Sequence, residues 1–233
     1  MKRYISKLLP LVALAMMASC GSDDDLPKIN PADRGTVTDN QGHEYGWIQI
    51  GDQRWTTENA RNGLLMTEIE YYDGWGWESA FSDAEAEEME RDYIPVYGNL
   101  MNWEDACKSA PDGWRLPTDE DWQKLERALG MTDADATGTR GSQGVGYSLQ
   151  NKEGMNLLCG GGINKRKVYG WYEFNLDHQG EYGYYWTATE VELDRVDYRA
   201  AYGRKIVISD PGVDRQKYNI EKYFSVRWVQ DVK

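Results

Sequence analysis

The sequence predicts an α+β domain behind a short N-terminal leader. Three observations support this: strand-like segments at both ends of the domain, two capped amphipathic helices in its middle, and a long glycine-rich span before the last strands. A chain of 233 residues is long enough to bury one ordinary hydrophobic core. We therefore expect one domain over residues 36–233.

The composition is strongly acidic. The chain has 26 Lys and Arg against 39 Asp and Glu, which gives a formal net charge of −13. Nucleic-acid affinity comes mainly from Lys and Arg on phosphates, and anionic lipid also attracts basic segments, so this charge argues against both partners. Two His residues leave little material for a metal site or a catalytic triad. We expect no nucleic acid, no cofactor and no dedicated metal site.

Residues 1–19 have the pattern of a signal peptide. Basic residues precede an apolar stretch from Leu8 to Ala18, which is shorter than the roughly 20 residues that a membrane-spanning helix needs. Met17-Ala18-Ser19 then precedes Cys20, as in a bacterial lipobox, in which the cysteine is acylated and becomes the first residue of the mature protein. A plain signal peptide that happens to contain a cysteine is the alternative.

Residues 20–35 predict an acylated cysteine and a polar acidic tether. The run from Gly21 to Asp25 resembles the surface-export signal of Bacteroidota lipoproteins. That resemblance implies a lipoprotein of the outer membrane, anchored through Cys20 and facing the extracellular side.

The N-terminal part of the domain, from Thr36 to Asn59, predicts three strands. Side chains alternate between the two faces around Trp47, and the reversals are at 39–42 and 51–52. Residues 60–98 are expected to be irregular, apart from one short acidic helix between Asp83 and Asp92.

Two helices follow. The first begins after Asn102 and ends at Pro111, with apolar residues at i, i+3, i+4 and i+7. The second begins after Thr118, with Asp121 at the third helical position as in a capping box, and ends at Gly130.

The chain from 130 to 183 has little periodicity and predicts a loop-rich region, of the kind that is usually a binding surface or disordered. Three closing strands are expected at 184–189, 198–208 and 224–230, with a Pro211-Gly212 turn between the last two.

Cys107 and Cys159 remain if Cys20 is lipidated. Thiols in an oxidising compartment are more often paired than free, so the sequence favours a disulfide between them. Two buried, inert thiols are the alternative.

Five motifs recur here in the order found in one known family. They are IGDQRW (50–55), YGNLMNW (97–103), GWRLPT (113–118), GYYWTATE (183–190) and FSVRWVQD (224–231). Together they resemble the FISUMP domain, the Fibrobacter succinogenes major paralogous domain, over residues 36–231. The resemblance implies a C-type-lectin-like fold shared with formylglycine-generating enzymes, with two helices flanking small antiparallel sheets. Family members often have Cys where Ala110 and Trp228 stand, so that bridge is absent here.

The sequence favours binding over catalysis. The formylglycine-generating relatives use a cysteine pair near the end of the fold, and residues 190–233 contain no cysteine. Neither His43 nor His178 has a nucleophile-elbow pattern nearby. The calcium signatures of C-type lectins are also missing. A cryptic glycan hydrolase stays open, because 39 acidic residues always include some pair at a suitable separation.

Aromatic residues are the remaining functional material, since flat rings stack on sugars and anchor protein interfaces. Tryptophans on the motif strands and helices are expected in the core: Trp47, Trp55, Trp103, Trp114, Trp122, Trp186 and Trp228. The ligand-binding candidates are aromatic and basic residues of the irregular segments: Tyr71, Tyr72, Trp75, Trp77, Lys165, Arg166, Lys167, Tyr169, Trp171 and Tyr172. We expect a surface lipoprotein domain that recognises a glycan or a protein, or alternatively a subunit of a fimbria-like assembly.

Overall fold

A computed structural model describes residues 28–138, 140–141, 144–168, 171–192, 199–208 and 210–232, and only the backbone of Arg140, Gly141, Val168 and Trp171. The predicted signal peptide, Cys20 and most of the tether lie outside the described residues. Within the described residues, no helix is both long and apolar enough to cross a membrane.

The first sheet begins with the three predicted N-terminal strands. Strands β1 (Arg34–Thr38), β2 (Glu44–Ile50) and β3 (Gln53–Thr56) pair antiparallel, with Ile48 opposite Trp55. Both reversals lie where the sequence places them, and Gly51 has a φ of 60°, which favours glycine.

The segment predicted to be irregular contains a small hairpin. After a 3₁₀ turn at Met66–Glu68, β4 (Glu70–Tyr72) and β5 (Trp77–Ser79) pair antiparallel. Helix α1 (Asp83–Glu88) begins with a capping box at Ser82, then runs on through a π-helical turn and α2 (Ile94–Tyr97). The prediction of irregular structure was wrong for this hairpin, because strands of three residues are too short to show a period of two.

The two capped helices are present. Helix α3 (Trp103–Ala106) is shorter than predicted, since the chain leaves the helix at Cys107 and Ser109 Oγ donates to the Ala106 carbonyl oxygen at 2.9 Å. Helix α4 (Asp119–Ala128) follows Thr118, whose hydroxyl oxygen accepts from Asp121 N. Arg115 binds the Asp121 carboxylate, which ties the motif GWRLPT to the start of this helix.

The loop-rich prediction for 130–183 was wrong, because the structure places five regular elements there. They are α5 (Asp133–Thr137), β6 (Arg140–Gly141), α6 (Val145–Gln150), β7 (Gly162–Val168) and β8 (Trp171–Asp177). The glycines mark boundaries of these elements: Gly144, with φ of 77°, precedes α6, and Gly161 approaches so closely that a Cβ there would lie 2.3 Å from the Asp177 carbonyl oxygen.

The second sheet contains four strands in the order β6-β11-β10-β9, and all but the short β6 are long. The long strands are β9 (Tyr182–Val191), β10 (Ala200–Val207) and β11 (Val213–Asn219), and β12 (Val229–Asp231) returns to pair with β3. The Pro211-Gly212 turn leads into β11, which the sequence reading missed because most of its side chains are polar. Small antiparallel sheets with short helices make this a mixed α+β fold.

The core consists of three clusters. The first lies between the first sheet and α4 and includes Ile48, Trp55, Trp122, Tyr185 and Val229. The second includes Tyr45, Met101, Trp103, Trp186 and Trp228. The third includes Met66, Ile69, Phe81, Tyr93 and Ile163. Five of the seven motif tryptophans are buried as predicted; Trp47 and Trp114 are only half-buried, which corrects the expectation for these two.

Arg227, in the last family motif, joins separate parts of the chain. Its guanidinium is fully buried and donates to Asn59 Oδ1 at 2.6 Å and to the carbonyl oxygens of Thr56, Met155 and Asn156. Burial lowers the pKa of Arg227 to about 10. A cation saturated by carbonyl oxygens fixes these backbone segments against one another.

The predicted disulfide is not formed, and both cysteines are free thiols. Cys107 is exposed after α3, whereas Cys159 is buried in the first core cluster, with its Sγ 3.9 Å from Gln150 Oε1. The two side chains therefore belong to different surroundings. Burial raises the pKa of the Cys159 thiol to about 11.

The positions at which relatives often have a cysteine pair are filled differently here. Ala110 packs against the second core cluster, to which Trp228 belongs. The Trp228 indole donates to Ser109 Oγ at 3.1 Å. A buried ring and one hydrogen bond thus connect the segments that a disulfide would connect.

Candidate functional site

The β4–β5 hairpin exposes three large aromatic side chains. Trp75 is 91% exposed, Trp77 71% and Tyr72 54%. The turn between the strands is fixed, because the Asp73 carboxylate accepts from the backbone N–H of Trp75 at 2.7 Å and of Gly76 at 2.9 Å. These backbone hydrogen bonds lower the pKa of Asp73. The rings are therefore displayed on an ordered turn.

The other face of this hairpin contacts the β7–β8 hairpin. The Tyr71 ring centroid lies 5.8 Å from that of Tyr172 and 5.5 Å from that of Phe174. Successive residues of a strand point to opposite faces, so Tyr72 and Trp77 point away from this contact, and their own rings are 5.9 Å apart. Tyr71 fastens the hairpin, and its neighbours stay accessible.

Two lysines of β7 lie over the Tyr172 ring. Lys165 Nζ lies 4.6 Å and Lys167 Nζ 5.7 Å from the centre of the Tyr172 ring, distances typical of cation–π contacts. Lys165 also pairs with Glu221 at 3.5 Å, leaving Lys167 as the more accessible cation. Arg166 lies opposite Glu173 in the register of the two strands, on the other face of β7.

The structure thus brings together most of the predicted ligand-binding residues. We define the aromatic surface as Tyr71, Tyr72, Trp75, Trp77, Lys165, Lys167 and Tyr172. Arg166 is exposed but separate from it. Tyr169 lies outside the described residues, and of Trp171 only the backbone is described. Two segments about 100 residues apart in sequence are therefore in contact through Tyr71 and Tyr172, which the sequence alone did not show. Tyr72 and Trp77 lie on the other face of the β4–β5 hairpin.

Sequence reasoning missed Phe174, which anchors the surface. Its ring contacts Tyr71 and packs against the third core cluster. Alternation of side chains with a period of two could have predicted both strands. On β7, Ile163, Lys165 and Lys167 share one face. Their partners on β8 are Leu176, Phe174 and Tyr172. The many glycines around this stretch hid that pattern.

The two histidines lie outside the aromatic surface and contact nearby carboxylates. His43 Nδ1 lies 3.1 Å from Asp39 Oδ2, which also accepts from the Tyr45 hydroxyl at 2.8 Å. His178 Nδ1 lies 3.3 Å from a Glu181 carboxylate oxygen. Within the described ranges, no three His, Cys, Asp or Glu side chains come together in a way that suits a metal ion.

Two open concavities lie outside the aromatic surface. One of about 610 Å³ borders the edge of the first sheet at β12, with Arg54, Trp114 and Arg115 in its wall. The other, of about 800 Å³, is lined by residues including His43, Arg61, Glu68 and Glu90.

Comparison with protein families agrees with the motif resemblance. The model of the Fibrobacter succinogenes major domain matches residues 48–230, which is most of the chain. No curated protein and no solved structure matches the chain. The matched range begins in β2, ends in β12, and contains both hairpins of the aromatic surface. The chain therefore belongs to the Fibrobacter succinogenes major domain family.

Proposed function

We propose that this protein is a non-catalytic cell-surface lipoprotein whose domain recognises an extracellular glycan through the aromatic surface. The observation that supports it best is the exposure of Tyr72, Trp75 and Trp77 side by side on one ordered hairpin. Contiguous exposed apolar side chains mark interaction sites, and flat aromatic rings fit the apolar faces of sugars.

The basic residues beside the rings suit the same role. Lys167 is exposed next to Tyr172, in a chain whose net charge is −13. An ammonium group donates hydrogen bonds to hydroxyl or acidic groups of a glycan while the ring takes its apolar face. In the proposal, Tyr172 and Lys167 extend the contact area of the β4–β5 hairpin.

The proposed architecture is one C-type-lectin-like domain over residues 36–233. The order of the five family motifs supports it, together with the two capped helices α3 and α4 that flank small antiparallel sheets.

The point at which the tether enters fits a domain anchored through Cys20 on the outer membrane. Ile29 packs against the first core cluster and near Gly154. The aromatic surface, through Phe174, packs on the third cluster, and the two clusters share no residue. Because the tether enters the domain at the first cluster, the aromatic surface on the third cluster stays accessible to extracellular ligands.

A second candidate function is that of a structural or accessory subunit of a surface assembly. The near-complete exposure of Trp75 at the end of a hairpin favours it, because a protruding ring fits a pocket on a neighbouring protein. In that case the aromatic surface is buried in the contact between subunits.

A glycan array tests the first proposal, using the chain from residue 21 onward and a Trp75→Ala, Trp77→Ala variant. Ile208→Ala is the matched control, since Ile208 is also an exposed apolar residue, at 54%, but belongs to another part of the fold. We expect the parent and the control to bind a defined set of glycans and the double variant to lose that binding.

Absence of glycan binding by the folded parent would contradict the glycan proposal. The second candidate then predicts a concentration-dependent assembly, measured by light scattering, that the same double variant abolishes and Ile208→Ala leaves intact. A parent that stays monomeric at every concentration would argue against self-assembly through this surface.

A further inference from the structure

The concavity of about 610 Å³ lies at the edge of the first sheet, on its outer face. The inner face of the same sheet is buried in the core through Ile48, Trp55 and Val229. On the outer face, Gln49, Arg54 and Gln230 lie side by side across β2, β3 and β12. The groove is thus polar on a rigid base.

Arg54 is the unusual residue of this groove. Its Nη1 donates to Gln230 Oε1 at 3.0 Å, but its Nε is shielded from water and has no acceptor among the described residues. No carboxylate of the described residues forms an ion pair with it, whereas Arg115 in the same groove is held by Asp121 and Asp231. The Arg54 cation thus has no anionic partner among the described residues, and a carboxylate is the group that pairs best with a guanidinium.

Trp47 holds the Arg54 guanidinium in place. The guanidinium carbon lies 4.6 Å from the centre of the Trp47 ring. That ring lies over β1 at Gly35, where a Cβ would come within 2.4 Å of it, and its indole donates to the Thr36 carbonyl oxygen at 3.0 Å. The cation is therefore preorganised, which lowers the entropy lost on binding a ligand.

The rest of the groove offers groups suited to a sugar. Trp114 is a half-buried ring in the wall, and Gln230 and Asp231 supply an amide and a carboxylate near it. Gln230 Nε2 donates to the Gly113 carbonyl oxygen at 3.1 Å, which fixes the amide. An aromatic face beside planar polar groups matches a sugar ring with hydroxyls along its edge.

We propose that this groove binds a carboxylate-bearing sugar residue, a uronic acid, with its carboxylate on Arg54 and its ring against Trp114. The site is separate from the aromatic surface, so it does not depend on the function proposed for that surface. Arg54 distinguishes the acidic sugar from its neutral counterpart, because a carboxylate accepts charge-assisted hydrogen bonds from the guanidinium that are stronger than those accepted by a neutral hydroxyl.

Calorimetric titration with tetragalacturonate tests the proposal. The matched ligand is the same tetrasaccharide with its carboxylates reduced to alcohols. We expect the parent chain to bind the acidic form and the reduced form to bind at least about tenfold more weakly, as for loss of a charge-assisted hydrogen bond. Arg54→Gln should weaken binding of the acidic form by a similar factor, and Arg54→Lys by less, since the charge remains but the planar fork is lost.

Arg34→Gln is the control variant. Arg34 lies on β1, which β2 separates from β3, and its guanidinium donates to the Glu153 carbonyl oxygen at 3.3 Å. It does not line the groove. We expect its affinity for tetragalacturonate to stay within about twofold of the parent, as for a surface change away from the site. The Trp75→Ala, Trp77→Ala variant should also bind as the parent does, which separates this site from the aromatic surface.

Three results would overturn the proposal: no binding of tetragalacturonate by the folded parent, equal binding of the acidic and reduced forms, or an equal loss in Arg34→Gln. Thermal unfolding of each variant shows whether a loss comes from misfolding. If Arg54→Gln does not fold, Arg54→Lys together with the reduced ligand still decides the outcome.

Discussion

The tryptophans divide the molecule into two regions with opposite uses of the same side chain. In the core, Trp55, Trp122, Trp186 and Trp228 are fully buried, and the indole of Trp186 donates to the Met101 carbonyl oxygen at 2.9 Å. On the β4–β5 hairpin, Trp75 and its neighbours lie in solvent. Residue type alone therefore does not separate a tryptophan that stabilises the fold from one available to a ligand.

The difference follows from what surrounds each position. The core tryptophans lie on strands and helices that pack face to face, so their rings meet other rings, as Trp55 meets Trp122 at 5.1 Å. Trp75 lies in a turn held by Asp73, with the core on the far side of the hairpin. The comparison predicts that substitutions in the two regions change stability by very different amounts.

The largest effect is expected for Trp122→Ala. The Trp122 ring is fully buried and packs between Trp55 and Tyr185, with ring centroids 5.1 and 6.0 Å away. The substitution leaves a large cavity and should lower the free energy of unfolding by about 4 kcal/mol. Urea denaturation measures it, with Trp122→Phe as a milder control. A loss below about 1 kcal/mol would show that the core repacks easily.

Removing one charge from the buried cluster around Arg204 should lower the free energy of unfolding almost as much. Arg204 is fully buried, with its Nε 2.6 Å from Glu126 Oε1 and its Nη1 2.7 Å from Asp119 Oδ1. Arg204→Met leaves the Glu126 carboxylate buried without its cation and should cost about 3 kcal/mol in unfolding free energy. Asp119 keeps Arg215 as a partner at 2.7 Å.

The double variant Arg204→Met, Glu126→Leu separates the charge from the packing. Removing both buried charges should restore most of the stability that the single variant loses. If the double variant is as unstable as the single one, shape and not the unpaired carboxylate explains the loss. Urea denaturation of all three proteins under one condition makes this comparison.

Low pH should weaken the hydrogen bonds that the Asp121 carboxylate accepts at the start of α4. Burial by itself raises the pKa of Asp121, but hydrogen bonds from Arg115 and Thr118 outweigh it and lower the pKa to about 2. The pKa of an Asp in the unfolded chain is about 3.9. The ionised carboxylate therefore stabilises the fold above that pH, and the stabilisation disappears as the pH falls to about 2.

Asp121→Asn tests this contribution. The variant should lose about 2 kcal/mol of unfolding free energy at pH 7 and show a flatter decline between pH 4 and 2 than the parent does. Glu120→Gln is the control, because Glu120 is an exposed residue of the same helix turn. Parallel pH profiles for the parent and Asp121→Asn would rule out Asp121 as the source of the acid sensitivity.

The smallest effect is expected for Trp75→Ala. With 91% of the residue exposed, the substitution removes almost no buried area and should change the unfolding free energy by less than about 0.5 kcal/mol. Thermal and urea unfolding against the parent measure it. A loss comparable to that of Trp122→Ala would mean that Trp75 is packed in solution, and the contrast between the two regions would fail.

The sequence was most informative where local chemistry decides structure. The caps at Asn102 and Thr118, the turns at 39–42 and 51–52, and the burial of Trp122 all followed from short patterns, since each depends on a few neighbouring residues. The sequence was least informative between 130 and 183, where glycines at element boundaries were taken for a loop.

The candidate site shows the same division. The sequence singled out both aromatic segments, yet their contact depends on Tyr71 packing against Tyr172 and Phe174, which are distant in the chain. The partial exposure of Trp47 and Trp114 was missed, because a short motif does not show which side chains the neighbouring segments cover.

The sequence by itself determined the family, the capped helices and most of the tryptophan core, because these depend on residue type and local spacing. Only the tertiary structure decided that the two aromatic hairpins contact each other, that Cys107 and Cys159 stay apart, and that Arg54 lacks an anionic partner among the described residues. Each of these depends on which distant segments meet, and long-range contacts are set by the packing of the whole core and not by any local pattern.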